Sequence, residues 1–344
     1  MDSLIPHLAK SRRFSIKLFV SDVNISHYSQ LEGIELVHCP IDGRSRIARV
    51  LFEQFRLQKT AVQEGCDLLF FPAYLGPAWK QMPFALTVHD MQFRDIPKGL
   101  SLPFCLLYRL IVPRAVKTAD AVITVSEYSK SRILKYCNVQ PGSIRVTYLA
   151  GLSSVHHLSE QPEESEQALL NNITEDPRPY LISVSSEALH KNIDRLVSAF
   201  LKCNSDEKYR LVLVGVKRRG NPDCVISTGF VSDPTRNALY QSARGYVFAS
   251  HYEGFGLPLL ESMKLGIPVT SSNAGSLPEI GGSACLYFNP NSEMEMIECM
   301  NELLENGDLR DSLKAKGTKR AAEFSWAQTA EQTEEIFSSL MNQT

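Results

Sequence analysis

The chain has no long apolar run. A helix that crosses a bilayer needs about 18–20 apolar residues in succession. The longest candidate, residues 100–116, is interrupted by Pro103, Arg109 and Pro113. The start, Met-Asp-Ser-Leu-Ile-Pro, has no basic stretch leading into an apolar core, so no signal peptide is expected. Patterned cysteine is missing too. The eight cysteines (39, 66, 105, 137, 203, 224, 285 and 299) are far apart, with no C-x-x-C, no metal-ligand spacing and no disulfide framework. Reduced thiols in a cytoplasmic protein are the expectation. Strong net charge is also absent: 36 Lys and Arg against 38 Asp and Glu leave −2, and no nucleic-acid partner is expected.

What is present is ordinary globular composition, 44% hydrophobic and 22% charged over 344 residues, enough for two domains. The charge is uneven. Residues 1–150 carry 19 Lys and Arg against 12 Asp and Glu, a balance of +7, and residues 151–344 carry 17 against 26, a balance of −9. The basic half could face an anionic membrane surface or an anionic acceptor. Within it, residues 45–63 read as one helix, with Ile47, Val50, Leu51, Phe55 and Leu57 at helical spacing and Arg44, Arg46, Arg49, Arg56 and Lys59 around them. Such a helix either lies on an anionic membrane or presents a solvated basic face.

Short apolar runs alternate with helical segments along the whole chain. Runs at 14–20, 34–38, 66–71, 84–88, 121–125 and 144–148 read as strands of one half, and runs at 180–184, 210–215, 225–231, 245–250, 267–271 and 284–288 as strands of the other. Strand–helix alternation implies parallel, doubly wound sheets. The expected organisation is α/β: an N-terminal Rossmann-like domain (1–150), a polar, acidic linker (151–179), a C-terminal Rossmann-like domain (180–325) and a closing helix (326–344). A cleft between such halves is the default ligand site.

The densest chemistry lies at 250–278. A strand ends near Ser250, a loop carries Glu253, Gly254 and Gly256, and Pro258 opens a helix that holds Glu261 and stops at Gly266. The free N–H groups and partial positive charge of that helix start suit an anion such as a diphosphate. Glycine lets the backbone approach a ligand closely, and strand C-terminal ends are where open α/β sheets bind ligands.

These residues carry a family resemblance. Glu253-Gly-Phe-Gly-Leu-Pro-Leu-Leu-Glu261 is similar to the E-x7-E motif of retaining GT-B glycosyltransferases, family 4 in particular. His89-Asp90 after a strand, the segment 125–133 (V-S-E-Y-S-K-S-R-I), 141–146 (P-G-S-I-R-V), His190-Lys191-Asn192, Gly229-Phe230-Val231-Ser232-Asp233, 273–279 (N-A-G-S-L-P-E) and Phe324-Ser325-Trp326 resemble further elements of that family in the same order. The resemblance covers most of the chain.

It implies roles. Glu253 contacts the transferred sugar and stabilises positive charge as the glycosidic bond breaks. Backbone groups of Gly254, Phe255, Gly256 and Leu257 meet the sugar or diphosphate, Glu261 accepts from the ribose hydroxyls, and Gly229, Phe230 and Val231 border the base. Lys191 neutralises the leaving nucleoside diphosphate. His89 faces the donor sugar from the N-terminal half. Asp90, Ser126 and Ser186 are further candidates; for Ser126 a helix cap is an equal reading. The chain contains no Asp-x-Asp, and an enzyme that uses Lys and backbone dipoles needs no metal ion or other cofactor.

Two features depart from the family pattern. The family begins with a strand and a Gly-rich loop before its first helix, whereas this sequence begins at that helix, so an N-terminal domain without its first strand is expected. Ser185-Ser186 stand where the family has Gly-Arg or Gly-Thr, and His190 stands in place of Arg beside the Lys. The implied activity is retaining transfer of a hexose, mannose from GDP-mannose first, to a surface-glycan or lipid-linked acceptor. A catalytically impaired binding subunit and a nucleotide-sugar epimerase use the same scaffold and remain alternatives.

Overall fold

The computed structural model describes residues 2–151 and 164–342. The chain forms two compact units, Met1–Leu149 with Ser325–Thr344, and Ala150–Phe324. Part of the expected linker, 152–163, lies outside the described residues, and its described remainder contains the helix Glu164–Thr174.

The first unit contains strands β1 (Ile16–Val20), β2 (Ile34–His38), β3 (Leu69–Phe71), β4 (Phe84–Thr87), β5 (Ala121–Thr124) and β6 (Ile144–Val146), every pairing parallel. β4 and β5 are buried at each position, as a parallel strand covered on both faces must be. Their side chains alternate between two cores. Phe84, Leu86 and Val122 pack with Cys105, Val112 and Ala115 of the helix Leu102–Thr118. Ala85, Ala121 and Ile123 pack with Ile336, Phe337 and Leu340 of the helix Trp326–Met341. That closing helix is therefore part of the first unit's core.

The strands do not merge into one sheet. β1 and β2 form a pair, and β3-β4-β5-β6 form a separate four-stranded sheet. Between Ile16–Phe19 on one side and Leu68–Phe71 on the other lies a cavity of about 450 Å³, also lined by Ile5 and Leu8 of the first helix and by Glu53. The strand pairing of this unit breaks here. The single helix expected over 45–63 is two helices, Arg46–Phe55 and Leu57–Gln63, because Arg56 leaves the helical region at φ −121°.

The second unit contains β7 (Tyr180–Val184), β8 (Arg210–Val214), β9 (Val225–Gly229), β10 (Gly245–Phe248), β11 (Val269–Ser272) and β12 (Cys285–Phe288) in one parallel sheet ordered β12-β11-β10-β7-β8-β9. The chain winds one way from β7 to β9, then returns to β7's other edge with β10 and winds the opposite way. The switch point thus lies between β7 and β10, and open α/β sheets bind ligands beyond the strand C-termini there. Leu181, Leu211, Leu213 and Val247 seal one face against Phe200, Met300 and Leu303. Among the described residues no helix is long and apolar enough to cross a membrane.

Candidate functional site

Two loops leave the sheet at the switch point, one after β10 and one after β7. The first runs to the helix Leu257–Lys264. Its cap residue Gly256 is left-handed at φ +100°, and no side chain caps the helix start. A Cβ at Gly256 would lie 2.7 Å from Leu277 Cδ2 in a conformation that L side chains rarely adopt, so glycine is required. Pro258 sits in the first turn, where its missing N–H removes no helical bond.

Glu253 is fixed through its backbone. Its carbonyl accepts from Ser276 N at 3.2 Å, and Ser276 Oγ lies 3.1 Å from it and 2.9 Å from Phe255 O. Gly275, at φ +64°, lies so close that a Cβ would stand 2.6 Å from Glu253 O and 2.8 Å from Glu253 N. Phe255 is buried edge-on against Phe324, which anchors the loop from below.

The second loop ends in a short 3₁₀ turn, Leu189–Lys191. Asn192 follows at φ 60°, and its amide donates to Ala249 O (3.1 Å) and Pro290 O (2.9 Å). His251 N donates to His190 O at 2.7 Å. The two loops are thereby tied together, and Lys191 Nζ comes to rest 2.7 Å from Glu253 Oε1, a charge-assisted hydrogen bond with the two side chains 19% and 13% exposed. Burial, then the adjacent Lys191, pushes the His190 imidazole below its ordinary pKa, which leaves Lys191 as the cation of this turn.

Glu261 sits in the second turn of the same helix. Burial raises its carboxyl pKa, and the Arg236 guanidinium opposes the shift. Gly151 packs on its backbone, where a Cβ would stand 3.3 Å from Glu261 N. At the end of β9, Gly229 is left-handed at φ +70° and the methylenes of Lys217 lie against it. Phe230 is 89% exposed, Val231 is buried, and Ser186 is exposed in the loop after β7. The structure thus brings Lys191 and Glu253 into contact. Sequence reasoning picked out the stretch N-A-G-S-L-P-E but missed Gly275 and Ser276 within it as the residues that hold Glu253.

His89, Asp90 and Ser126 belong to the first unit. His89 Nε2 stands 2.9 Å from Pro72 O, which can only accept, so Nε2 carries the proton and Nδ1 is the acceptor nitrogen. Burial lowers its pKa, and the ring packs edge-on to Tyr74 at 5.7 Å. A neutral imidazole follows. Asp90 Oδ1 accepts from Gln92 N at 2.9 Å, a local turn just ahead of the short helix Gln92–Asp95. Ser126 is fully buried and accepts from Ser129 N at 3.0 Å, the capping geometry for the helix Glu127–Cys137. Among the described residues no three His, Cys, Asp or Glu side chains are grouped to hold a metal ion.

Comparison with known proteins places these sites in context. Residues 1–150 match the family described as Glycosyltransferase Family 4, and residues 166–320 match the family described as Glycosyl transferases group 1. O-antigen chain mannosyltransferase B of Escherichia coli is 28% identical over 96% of this chain and 92% of its own length. The serotype-specific mannosyltransferase WbdA of Escherichia coli is 28% identical over 65% of this chain, which spans 29% of that protein. Among solved structures, sucrose-phosphate synthase from Thermosynechococcus elongatus matches with a TM-score of 0.76 at 17% identity, covering 99% of this chain and 92% of its own, a likeness of fold.

Proposed function

The chain belongs to the group 1 glycosyltransferases of the GT-B fold, and from that premise we propose that it transfers mannose from GDP-mannose, with retention, to a surface-glycan or lipid-linked acceptor. Two similar proteins named as mannosyltransferases support the choice of sugar. One observation carries the chemistry: Lys191 and Glu253 form a 2.7 Å pair a few residues ahead of an uncapped helix start.

Breaking the bond between the sugar and the diphosphate leaves positive charge on the sugar and an extra negative charge on the leaving group. In this reading the N–H groups of Gly256 and Leu257 and the Lys191 ammonium receive the diphosphate, and the Glu253 carboxylate faces the sugar. The leaving phosphate oxygen takes the proton of the acceptor hydroxyl as that hydroxyl attacks the same face, which preserves the anomeric configuration. Glu261 holds the ribose, the exposed Phe230 beside Gly229 and Val231 borders the base, and neutral His89 is the first unit's candidate for a sugar hydroxyl. No cofactor or metal ion takes part. A nucleotide-sugar donor and reduced thiols fit a cytoplasmic protein, and the basic helix Arg46–Phe55 suits peripheral contact with the anionic inner face of a membrane.

Replacing Glu253 with Ala should lower transfer by about a hundredfold or more, with nucleoside-diphosphate binding retained. Lys191→Ala should weaken that binding in calorimetry. Transfer should survive chelator, and the product anomer should be readable by NMR. A thermal-shift screen of UDP, GDP, ADP and their sugars chooses the donor, since saturation at 100 times the dissociation constant stabilises by ~2.7 kcal/mol. Undiminished transfer by the Glu253 variant would remove the assignment.

A further inference from the structure

Two helices of the first unit turn their apolar stripes outward. In Arg46–Phe55, Ile47, Leu51 and Phe55 recur every fourth residue and are 75%, 52% and 55% exposed, while the residues buried on the inner side are Phe52 and Gln54. Gln54 faces inward because its amide is used there, donating to Gly76 O at 2.7 Å and accepting from Ala78 N at 2.9 Å. The helix Leu102–Thr118 repeats the pattern: Leu102, Leu106 and Leu110, again every fourth residue, are 71%, 52% and 58% exposed. A groove of about 430 Å³ is shared by the two helices, lined by Ile47, Val50 and Leu51 from the first and by Phe104, Leu107 and Tyr108 from the second, and Leu107 is itself 37% exposed. Exposed Trp79 extends the apolar surface, its ring 5.1 Å from Phe55.

The frame of this surface is cationic. Residues 44–63 contribute five Arg and Lys and one carboxylate, Glu53, which lines the interior cavity and pairs with Arg49 at 3.7 Å. Residues 98–118 contribute four Arg and Lys and no acid. Arg44, Arg46, Arg49, Arg56 and Lys59 are exposed around the first stripe, as are Lys98, Arg114 and Lys117 around the second. Contiguous apolar residues kept in water on a folded surface mark an interaction site. A protein partner would need a matching acidic rim, whereas a bilayer supplies both layers of chemistry at once, a hydrocarbon boundary beneath a plane of phosphates.

We propose that the two-helix face docks on an anionic lipid bilayer, with Ile47, Leu51, Phe55, Leu102, Leu106 and Leu110 entering the acyl boundary while the surrounding arginines and lysines pair with lipid phosphates. This deepens the peripheral contact proposed above by adding the second helix and an insertion depth, and it stands apart from the transfer chemistry.

The test is flotation of the full chain with vesicles of phosphatidylglycerol mixed with phosphatidylethanolamine, against vesicles of phosphatidylcholine alone. Binding to the anionic vesicles only, weakened by salt, is expected. Trp79 fluorescence should shift to the blue on binding. Leu51→Asp with Leu106→Asp should weaken partitioning by at least about tenfold, since each leucine loses most of its apolar transfer energy. Arg44→Glu with Arg46→Glu should do so at low salt. Both variants should keep the wild-type melting temperature and nucleoside-diphosphate affinity, because neither pair lies in the core or in the second unit. Failure of the wild type to bind, or wild-type binding by the leucine variant, would overturn the proposal. A dimer that the leucine variant dissociates, with no vesicle binding, would make the face a protein interface and overturn it equally. A wild type that binds vesicles but no nucleotide would instead refute the transferase reading and leave the membrane face standing.

Discussion

Lys191 cannot serve a diphosphate while it serves Glu253. Their 2.7 Å pair is largely shielded from water, so a donor must draw the ammonium away from a carboxylate that also repels it. Glu253→Gln should therefore raise nucleoside-diphosphate affinity several-fold in calorimetry, and the gain should vanish in a Lys191→Ala background. Equal gains in both backgrounds would mean that the pair does not govern binding. Another carboxyl makes a different claim. Burial raises Glu53 to a pKa of about 7 against a partial offset from Arg49. A carboxyl with a raised folded-state pKa stabilises the fold at pH values below its unfolded pKa, and this contribution is lost as pH rises through 7. Glu53→Gln should thus match the wild type at pH 4 and exceed it at pH 8, by about 3 kcal/mol at most, in urea denaturation. Both Glu253 and Lys191 were legible in the sequence because each stands in a short motif. Gly275 and Ser276 were not, since their work is to hold a backbone 22 residues earlier in the chain, and no local spacing records that.

At the scale of the element, periodicity gave a helix over 45–63 but not the direction in which its stripe points. An apolar residue every fourth position says that one side is apolar. Only the inward demands of Gln54 and Phe52 show that this side faces water. The break at Arg56 was likewise unreadable, since Arg is a good helix former and the dihedral that ends the helix is set by its surroundings. Capping was legible. Ser126 stands before the helix Glu127–Cys137 and takes its Ser129 N–H in a fully buried site. Ser126→Ala should cost about 1–2 kcal/mol in chemical denaturation, while Ser126→Asn or Asp would add bulk to a closed space and recover little. An alanine variant as stable as the wild type would deny the cap its role.

For the whole molecule, the alternation of apolar runs and helical segments predicted parallel α/β halves, and the six-stranded sheet with its switch point follows from it. The return of the last helix to the first unit did not follow. Phe337 packs against Phe14 and Phe70, with ring centroids 6.0 Å and 5.2 Å apart, contacts that span more than 250 residues of sequence. Pairings of that range leave no local pattern. A chain cut after Phe324 should uncover Ala85, Ala121 and Ile123, and the first unit should melt well below the second in calorimetry. Coincident melting of the cut chain would contradict that packing.

The break between β1 and β3 has a thermodynamic consequence. Hydrogen-bonded strands share their fate, because opening one exposes the next, and no ladder crosses this break. Among the described residues no strand pairing ties β1–β2 to the four-stranded sheet, and the cavity between them supplies few neighbours on one side. The pair β1–β2 should behave as a separate cooperative block: its amides should exchange with deuterium through a local opening of lower free energy, while those of β4 and β5 wait for the whole unit to unfold.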